Sequence, residues 1–253
     1  MSNKTVLVTG AGAGIGRAIA KNLSEKGHGL VLIGRSLAPL EETKKDLKFP
    51  NQCQTFSADI RNSNSIKESL EKSGIDALFS IVINAGVGGK NSYGMSDRWN
   101  EVIETNLTGS YNTVHECLPY LRKSSHPFKK IIFMSSILAR LGVPGYSAYC
   151  ASKAGILGLM RSFSAELSGE NILVNAICPG WVNTQMAHEG LDGMATGMSI
   201  SKDEAYKIAM SQVPLGKMSE PEEIAGLVGF MLSESQNSIT GQTLDINNGA
   251  MMP

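Results

Sequence analysis

Seven short runs of apolar, often β-branched residues punctuate the chain: KTVLVTG, HGLVLIG, CQTFSADI, DALFSIVINAG, KKIIFMSS, NILVNAICPG and QTLDINNG. Most are separated by segments long enough for a helix. Strands alternating with helices predict a parallel sheet covered on both faces. In GIGRAIAKNLSEKG the apolar positions Ile15, Ala18, Ile19 and Leu23 fall at helical spacing, and Gly27 is placed to stop the helix. SDRWNEVIETNLTGSYNTVHECLPYL and YSAYCASKAGILGLMRSFSAELS read as two long helices, the second crowded with small residues that permit close packing. The alternation fails between Thr184 and Met218, a stretch long enough to be expected as a substrate-binding lid (184–218) rather than a plain connector. The pattern as a whole predicts one doubly wound α/β domain over residues 1–253.

Composition narrows the partners. A chain of 253 residues that is 42% hydrophobic can bury a substantial core. Its 23 basic and 23 acidic side chains balance, and no long basic run offers itself to a phosphate backbone or an anionic bilayer. Nucleic acid and membrane are therefore not expected as partners. The apolar run in MSNKTVLVTG is too brief for a signal-peptide core, which leads to the expectation of a cytoplasmic protein. Cys53, Cys117, Cys150 and Cys178 are scattered without CxxC spacing, so reduced thiols are expected and no metal site.

Two short stretches carry chemistry. TVLVTGAGAGIGRAIA runs from a strand through a glycine-rich turn into a helix, the setting of a dinucleotide-phosphate site. The spacing is TGxxxGIG, since Ile15 and Arg17 stand where the GxGxxG pattern needs its last glycine. Gly10 can make the tight turn, Gly14 can let the backbone approach a pyrophosphate, and Gly16 can let the helix pack close to the sheet, with Gly12 and Ile15 completing the loop. A glycine-rich turn without a ligand is the alternative. In YSAYCASKAG, Tyr149 and Lys153 lie one helical turn apart on one face. A free tyrosine titrates near pH ~10, so proton transfer near neutrality needs a positive charge close to the phenolate, and Lys153 can supply it. Ala151 and Ser152 leave room for a cofactor or for a neighbouring helix.

TGAGAGIG, Asp59-Ile60, NAG at Asn84, Ala85 and Gly86, NLTG from Asn106, YCASK, and Pro179-Gly180 together resemble the short-chain dehydrogenase/reductase family along essentially the whole chain. The resemblance implies a Rossmann-type sheet of seven parallel strands in the order 3-2-1-4-5-6-7. It also implies an active-site tetrad: Tyr149 as general acid in reduction, Ser136 on the substrate carbonyl, Lys153 on the nicotinamide ribose, and Asn106 holding a water that links Lys153 to solvent. Ser136 is chosen over Ser135 by its distance from Tyr149. By the same resemblance Asp59 and Ile60 border the adenine, Asn84, Ala85 and Gly86 line the nucleotide or form a structural turn, and Pro179, Gly180, Val182 and Thr184 border the nicotinamide.

The second strand ends in Gly34 and Arg35, where an NAD-preferring enzyme of this architecture carries an acidic residue. A guanidinium there, helped by Ser36, can bind a 2′-phosphate, so NADPH is expected over NADH. An Arg35 that merely faces solvent or stacks on adenine, leaving both cofactors tolerated, is the alternative, and Ala13 stands where a second basic residue is found in some NADPH enzymes. Trp181, Met186, Leu191, Met194 and Met198 offer apolar surface for an acyl ketone, or ordinary packing. His115 and His188 match no motif.

Within the family the chain most resembles 3-oxoacyl-[acyl-carrier-protein] reductases and polyketide ketoreductases, which implies a 3-oxoacyl thioester substrate and, with it, acyl carrier protein as a partner. Arg122, Lys123, Lys129, Lys130 and Arg161 are the basic candidates for meeting an acidic carrier, although Ala165 stands where an arginine is expected. A dehydrogenase of small hydroxy acids, diols or other secondary alcohols is the competing reading, and a non-catalytic nucleotide sensor is the reading from another class. The resemblance further implies a homotetramer or homodimer built through the long helices, with SKAGILGLM and the tail AMMP available for contact.

Overall fold

Strand β1 (Thr5–Thr9) shows why the sheet is buried on both sides: Val6 and Val8 point into one core and Leu7 into the other, and all three are wholly buried. Successive side chains of a strand alternate between faces, so a run apolar at every position must be covered twice. The computed structural model describes residues 4–252 and contains six further strands, β2 (Gly29–Gly34), β3 (Cys53–Ser57), β4 (Ser80–Ile83), β5 (Lys129–Met134), β6 (Ile172–Pro179) and β7 (Thr243–Ile246). All pair in parallel, in the order β3-β2-β1-β4-β5-β6-β7. The last residue of the AMMP tail lies outside the described residues.

Helices α1 (Gly14–Glu25), α2 (Leu37–Lys45) and α9 (Pro221–Met231) cover one face through Ile19, Leu23, Leu40, Ile224 and Val228. On the other face lie α3 (Ser63–Ser73), α5 (Gly109–Arg122) and α6 (Ser147–Leu167), which bring Ile66, Val114, Leu121, Ile156 and Met160 against Ile81 and Phe133. The first of the two long predicted helices is continuous but not uniform. It starts as α4 (Trp99–Ile103), passes through a π-helical turn at Glu104–Thr108, and resumes as α5. A π turn inserts one residue into the helix and re-aims the side chains around it. Here the re-aimed residue is Asn106.

The interruption after β6 is itself helical, with α7 (Gln185–Met198) and α8 (Lys202–Ser211) folding around Leu191, Ala209, Met210, Val213 and Met218. Trp181 and Met194 pack against that small core. Leu191 is buried in that core, so of the two readings of its apolar side chain packing holds. Met186 and Met198 remain exposed. Among the described residues no helix is long and apolar enough to cross a membrane, and no group of His, Cys, Asp or Glu is arranged to hold a metal. All four cysteines are free thiols.

Candidate active site

The order in which strands are added to the sheet reverses between β1 and β4, whose C-terminal ends open a crevice between the two halves of the sheet, the place where ligands bind in open α/β folds. Gly10 leaves β1 at φ 66°, a left-handed conformation that favours glycine, and its N–H donates to Ile33 O at 2.8 Å. A β-carbon at Gly16 would lie 2.1 Å from Gly10 O and 2.6 Å from Asn84 Nδ2, so the first turn of α1 sits directly on the loop as expected. At Gly14 the nearest atom to such a carbon is Thr184 Cγ2, at 3.1 Å, which puts Thr184 across the crevice from the glycine loop. Gly12 faces Pro39 of α2 at 2.9 Å, and its carbonyl accepts from Arg17 Nη2 at 2.8 Å. Ile15 packs against the core.

Asn84 holds this cradle from below. Its Nδ2 donates to Thr9 O and Gly10 O, both at 3.2 Å, while Thr9 Oγ1 accepts from Asn84 N and Ala85 N at 3.0 Å. Both amide protons of Asn84 are engaged, so its side chain shapes the loop. Beside it Gly10, Arg35, Asp59, Ile60, Ala85 and Gly86 border a cleft of about 130 Å³. Arg35 is exposed and has no ion-pair partner among the described residues, and Ser36 is exposed at the N-cap of α2. Ile60 is buried against Gly109, where an added β-carbon would meet its Cδ1 at 2.7 Å. Asp59 is gripped by Arg61, whose Nε donates to its two oxygens at 3.1 and 3.0 Å and whose Nη2 donates at 2.6 Å. That hydrogen bonding holds the Asp59 carboxyl below the usual carboxylate range. Arg61 went unread in the sequence, where only its position two residues after Asp59 marks it.

β5 delivers two serines with different duties. Ser135 Oγ donates to Lys153 O at 2.9 Å and ties the end of β5 to α6. Ser136 Oγ accepts from Leu138 N at 3.2 Å, and its side chain lies close enough to Tyr149 to pull the phenol pKa down. Tyr149 and Lys153 stand on the first turns of α6 with the ammonium 5.5 Å from the phenol ring centre. Lys153 is 4% exposed, and its Nζ donates to Met134 O at 2.9 Å. Burial pushes the Tyr149 phenol up to about 12, against the opposing pull of Ser136. Burial pulls the Lys153 ammonium down to about 8. Before a ligand arrives, the pair therefore consists of a phenol that keeps its proton and a lysine that loses its own just above neutrality.

Asn106, fully buried, faces the same space. Its Oδ1 accepts from Val87 N at 2.8 Å, and its Nδ2 donates to Val87 O at 2.9 Å and to Ser152 Oγ at 3.0 Å. With both amide protons engaged in the protein, the side chain clamps the segment after β4 to α6. Ser152 also donates to Tyr149 O at 2.8 Å, so its small size serves helix packing, while Ala151 is exposed. A β-carbon at Gly86 would sit 3.1 Å from Asn106 Oδ1 and 3.4 Å from Lys153 Nζ, which brings these three residues to one point of the crevice.

The far wall comes from the end of β6. Pro179 closes the strand, Gly180 N donates to Ile246 O at 3.0 Å, and buried Val182 bridges to Ser219. Thr184 caps α7, its Oγ1 accepting from Ala187 N at 3.4 Å. The basic candidates do not gather here. Lys130 is 2% exposed with Nζ on Ser233 O and Gln236 O, Lys129 Nζ donates to Glu170 O, and Arg122 makes two 2.7 Å bonds to Glu170. With Lys123 they lie at the end of α5 and the start of β5, the edge of the sheet opposite the crevice. Arg161 is exposed on α6, three turns beyond Tyr149. The carrier-facing cluster expected from the sequence is corrected accordingly.

The comparisons agree with this geometry. Residues 4–194 match the short chain dehydrogenase family. The 3-oxoacyl-[acyl-carrier-protein] reductase of Thermotoga maritima is 30% identical over 260 residues, covering 100% of this chain and 99% of that protein. A point variant of the actinorhodin polyketide ketoreductase, solved with NADPH, superposes with a TM-score of 0.90 at 29% identity, over 98% of this chain and 97% of its own. A short-chain dehydrogenase/reductase of Brucella melitensis described as a glucose/ribitol dehydrogenase gives 0.87 at 28%, over 99% and 98%. Matched along most of its length, and carrying the fold those proteins share, this chain is an oxidoreductase that belongs to the short-chain dehydrogenase family.

Proposed function

We propose that the protein reduces a ketone to a secondary alcohol with NADPH, and that the ketone is a 3-oxoacyl thioester. The observation that carries the reading is Tyr149 with a buried Lys153 ammonium 5.5 Å from its ring, in a crevice that leads to an uncommitted arginine. The residues fit a phosphorylated dinucleotide: the loop has glycines where a β-carbon would intrude, and Arg35 offers five N–H donors with no ion pair or hydrogen bond to its guanidinium among the described residues. Arg35 and Ser36 would hold the 2′-phosphate, Asp59 with Arg61 the adenine, and Lys153 the nicotinamide ribose. The bound nicotinamide supplies a hydride to the ketone carbon.

What the chain itself does is stabilise and protonate the oxygen. Tyr149 and Ser136 would offer two hydroxyls to the carbonyl oxygen, and donors fixed before charge develops lower the barrier because they need no reorganisation. Tyr149 gives up its proton as the alcohol forms, and the Lys153 ammonium offsets the phenolate left behind. Asn106 maintains the distance between the segment after β4 and α6 on which that arrangement depends.

Two outcomes follow. Arg35→Ala is expected to raise the KM for NADPH by about 10- to 100-fold, the worth of a charge-assisted hydrogen bond, while changing the KM for NADH less than about twofold. Equal changes for both cofactors would remove Arg35 from phosphate recognition. For pH, kcat/KM of reduction is expected to fall as one group deprotonates near 8, because Lys153 has its pKa lowered to about that value and the phenolate loses its counter-charge above it. A profile flat to pH ~9.5 would mean that Lys153 stays charged or plays no electrostatic part.

The test of the function is steady-state turnover on acetoacetyl-CoA and on small ketones with each cofactor. Turnover confined to small ketones or sugar-like alcohols, the kind of substrate named for the Brucella melitensis protein, would replace the thioester. An exposed apolar groove of about 390 Å³ on α5 and α6, lined by Leu107, Tyr111, Gly155 and Leu159, supports a homotetramer or homodimer. Sedimentation at micromolar concentration checks it, and a monomer would count against it.

A further inference from the structure

The segment after β4 meets α7 at two points. A β-carbon at Gly88 would lie 3.0 Å from Met186 Sδ and 3.7 Å from Tyr149 Cε2, so this first point is beside the reacting tyrosine. The second is at Lys90, whose Nζ is 3.4 Å from the β-carbon position of Gly197 and whose Cγ is 3.8 Å from that of Gly145. Between the two contacts α7 turns Gly190 and Gly193 to the same side as Met186 and Gly197, at helical spacing. Nothing lies within 4 Å of a β-carbon at Gly193, and only the Trp181 ring lies that close to one at Gly190. The helix is thus closed at both ends of this face and bare in the middle.

Lys90 is presented by a fixed backbone. Asn91 N donates to Gly145 O at 2.6 Å, Asn91 Oδ1 accepts from Arg98 N at 2.8 Å, and Arg98 Nη1 donates to Gly88 O at 2.9 Å. The charge of Arg98 is matched by Glu101 at 2.8 Å. Lys90 is exposed and has neither an ion pair nor a hydrogen bond to its ammonium among the described residues. It is the uncommitted cation at the outer end of the gap.

We infer that the gap between α7 and segment 88–90 takes the arm of a phosphopantetheine thioester and that Lys90 binds its phosphate. The inference rests on the proposed thioester substrate. The arm's length supports it: from Met186 to Gly197 the helix rises about 16 Å. Thirteen bonds separate a pantetheine sulfur from its phosphorus, and an extended chain covers roughly 3.6 Å per three bonds, again about 16 Å. The carboxylate of a small keto acid lies within a few bonds of its ketone and does not reach. Coenzyme A and a carrier protein both bring this phosphate, so the inference is common to them.

The experiment compares acetoacetyl-phosphopantetheine with acetoacetyl-pantetheine, which lacks only the phosphate, using the unaltered enzyme, Lys90→Ala and Lys90→Glu. Lys90→Ala is expected to raise the KM for the phosphorylated thioester about fivefold, and Lys90→Glu further, with kcat unchanged and the KM for the dephosphorylated one unmoved. Acetoacetyl-CoA and the carrier-protein thioester should shift by the same factor, and their relative kcat/KM in the unaltered enzyme identifies the natural source. KM changes equal for the two pantetheine thioesters, or none, would overturn the assignment of Lys90. Absence of turnover on any thioester by the unaltered enzyme, with turnover on small ketones, would instead overturn the substrate reading beneath it.

Discussion

Tyr149→Phe is expected to lower kcat for ketone reduction by about 10³-fold while NADPH binds within about twofold of its normal affinity, because a positioned general acid contributes 10²- to 10⁴-fold. The substitution removes one oxygen and leaves the ring in place beside Gly88. Ser136 still caps the turn at Leu138, and Lys153 still donates to Met134 O. The cofactor cradle contains no atom of the missing hydroxyl. What disappears is the proton donor and one of the two donors to the developing oxyanion, so about 4 kcal/mol of barrier is the expected cost. The direction of the pKa shift adds a second reading of the same variant. Burial raises the Tyr149 phenol to about 12, so the residue is ready as an acid, and the reverse reaction, which needs the phenolate, should accelerate with rising pH in the unaltered enzyme and not in Tyr149→Phe. Turnover and cofactor fluorescence titration on the two proteins decide it. A variant that keeps more than about a tenth of normal turnover would mean that another group delivers the proton.

The sheet was legible because its strands are apolar at consecutive positions, as in Val6, Leu7 and Val8, a pattern that only coverage on both faces explains. The positions of Tyr149 and Lys153 were legible for a related reason, since one helical turn places them together whatever else the chain does. Three things were hidden. The π turn at Glu104–Thr108 leaves no mark in hydrophobic periodicity, because the helix continues on both sides of it. The small core under α7 and α8 borrows Leu191 and Met194, residues whose apolar character says nothing of which way they face. The basic residues Arg122, Lys129 and Lys130 cluster in sequence where α5 meets β5, but strand direction puts that junction at the edge of the sheet remote from the crevice, where their cations bond Glu170 and main-chain carbonyls. Charge in a sequence has no address until the topology supplies one, and Lys90, a cation beside α7, stands alone in an otherwise neutral run.

Gly16→Ala and Gly226→Ala make the same chemical change in two helices and should act in opposite directions. At Gly226, exposed in α9, nothing lies within 4 Å of the new methyl, and replacing glycine inside a helix by alanine stabilises by roughly 0.5–1 kcal/mol because the unfolded chain loses freedom. At Gly16 the methyl would lie 2.1 Å from Gly10 O and 2.6 Å from Asn84 Nδ2, and the first of these is main chain that no rotamer change can withdraw. Relief requires α1 to lift from the loop, which breaks the Asn84 bonds to Thr9 O and Gly10 O and opens the phosphate cradle. Overpacking of this kind costs about 3 kcal/mol, or a fall in Tm of about 6–12 °C at this chain length. Thermal unfolding of the two variants measures the contrast, and the cofactor is expected to raise the Tm of Gly226→Ala and of the unaltered protein alike while scarcely moving that of Gly16→Ala. A Gly16→Ala protein of normal Tm with full cofactor stabilisation would show that the loop has slack, and would detach the phosphate site from the contact between α1 and β1 on which its geometry is built.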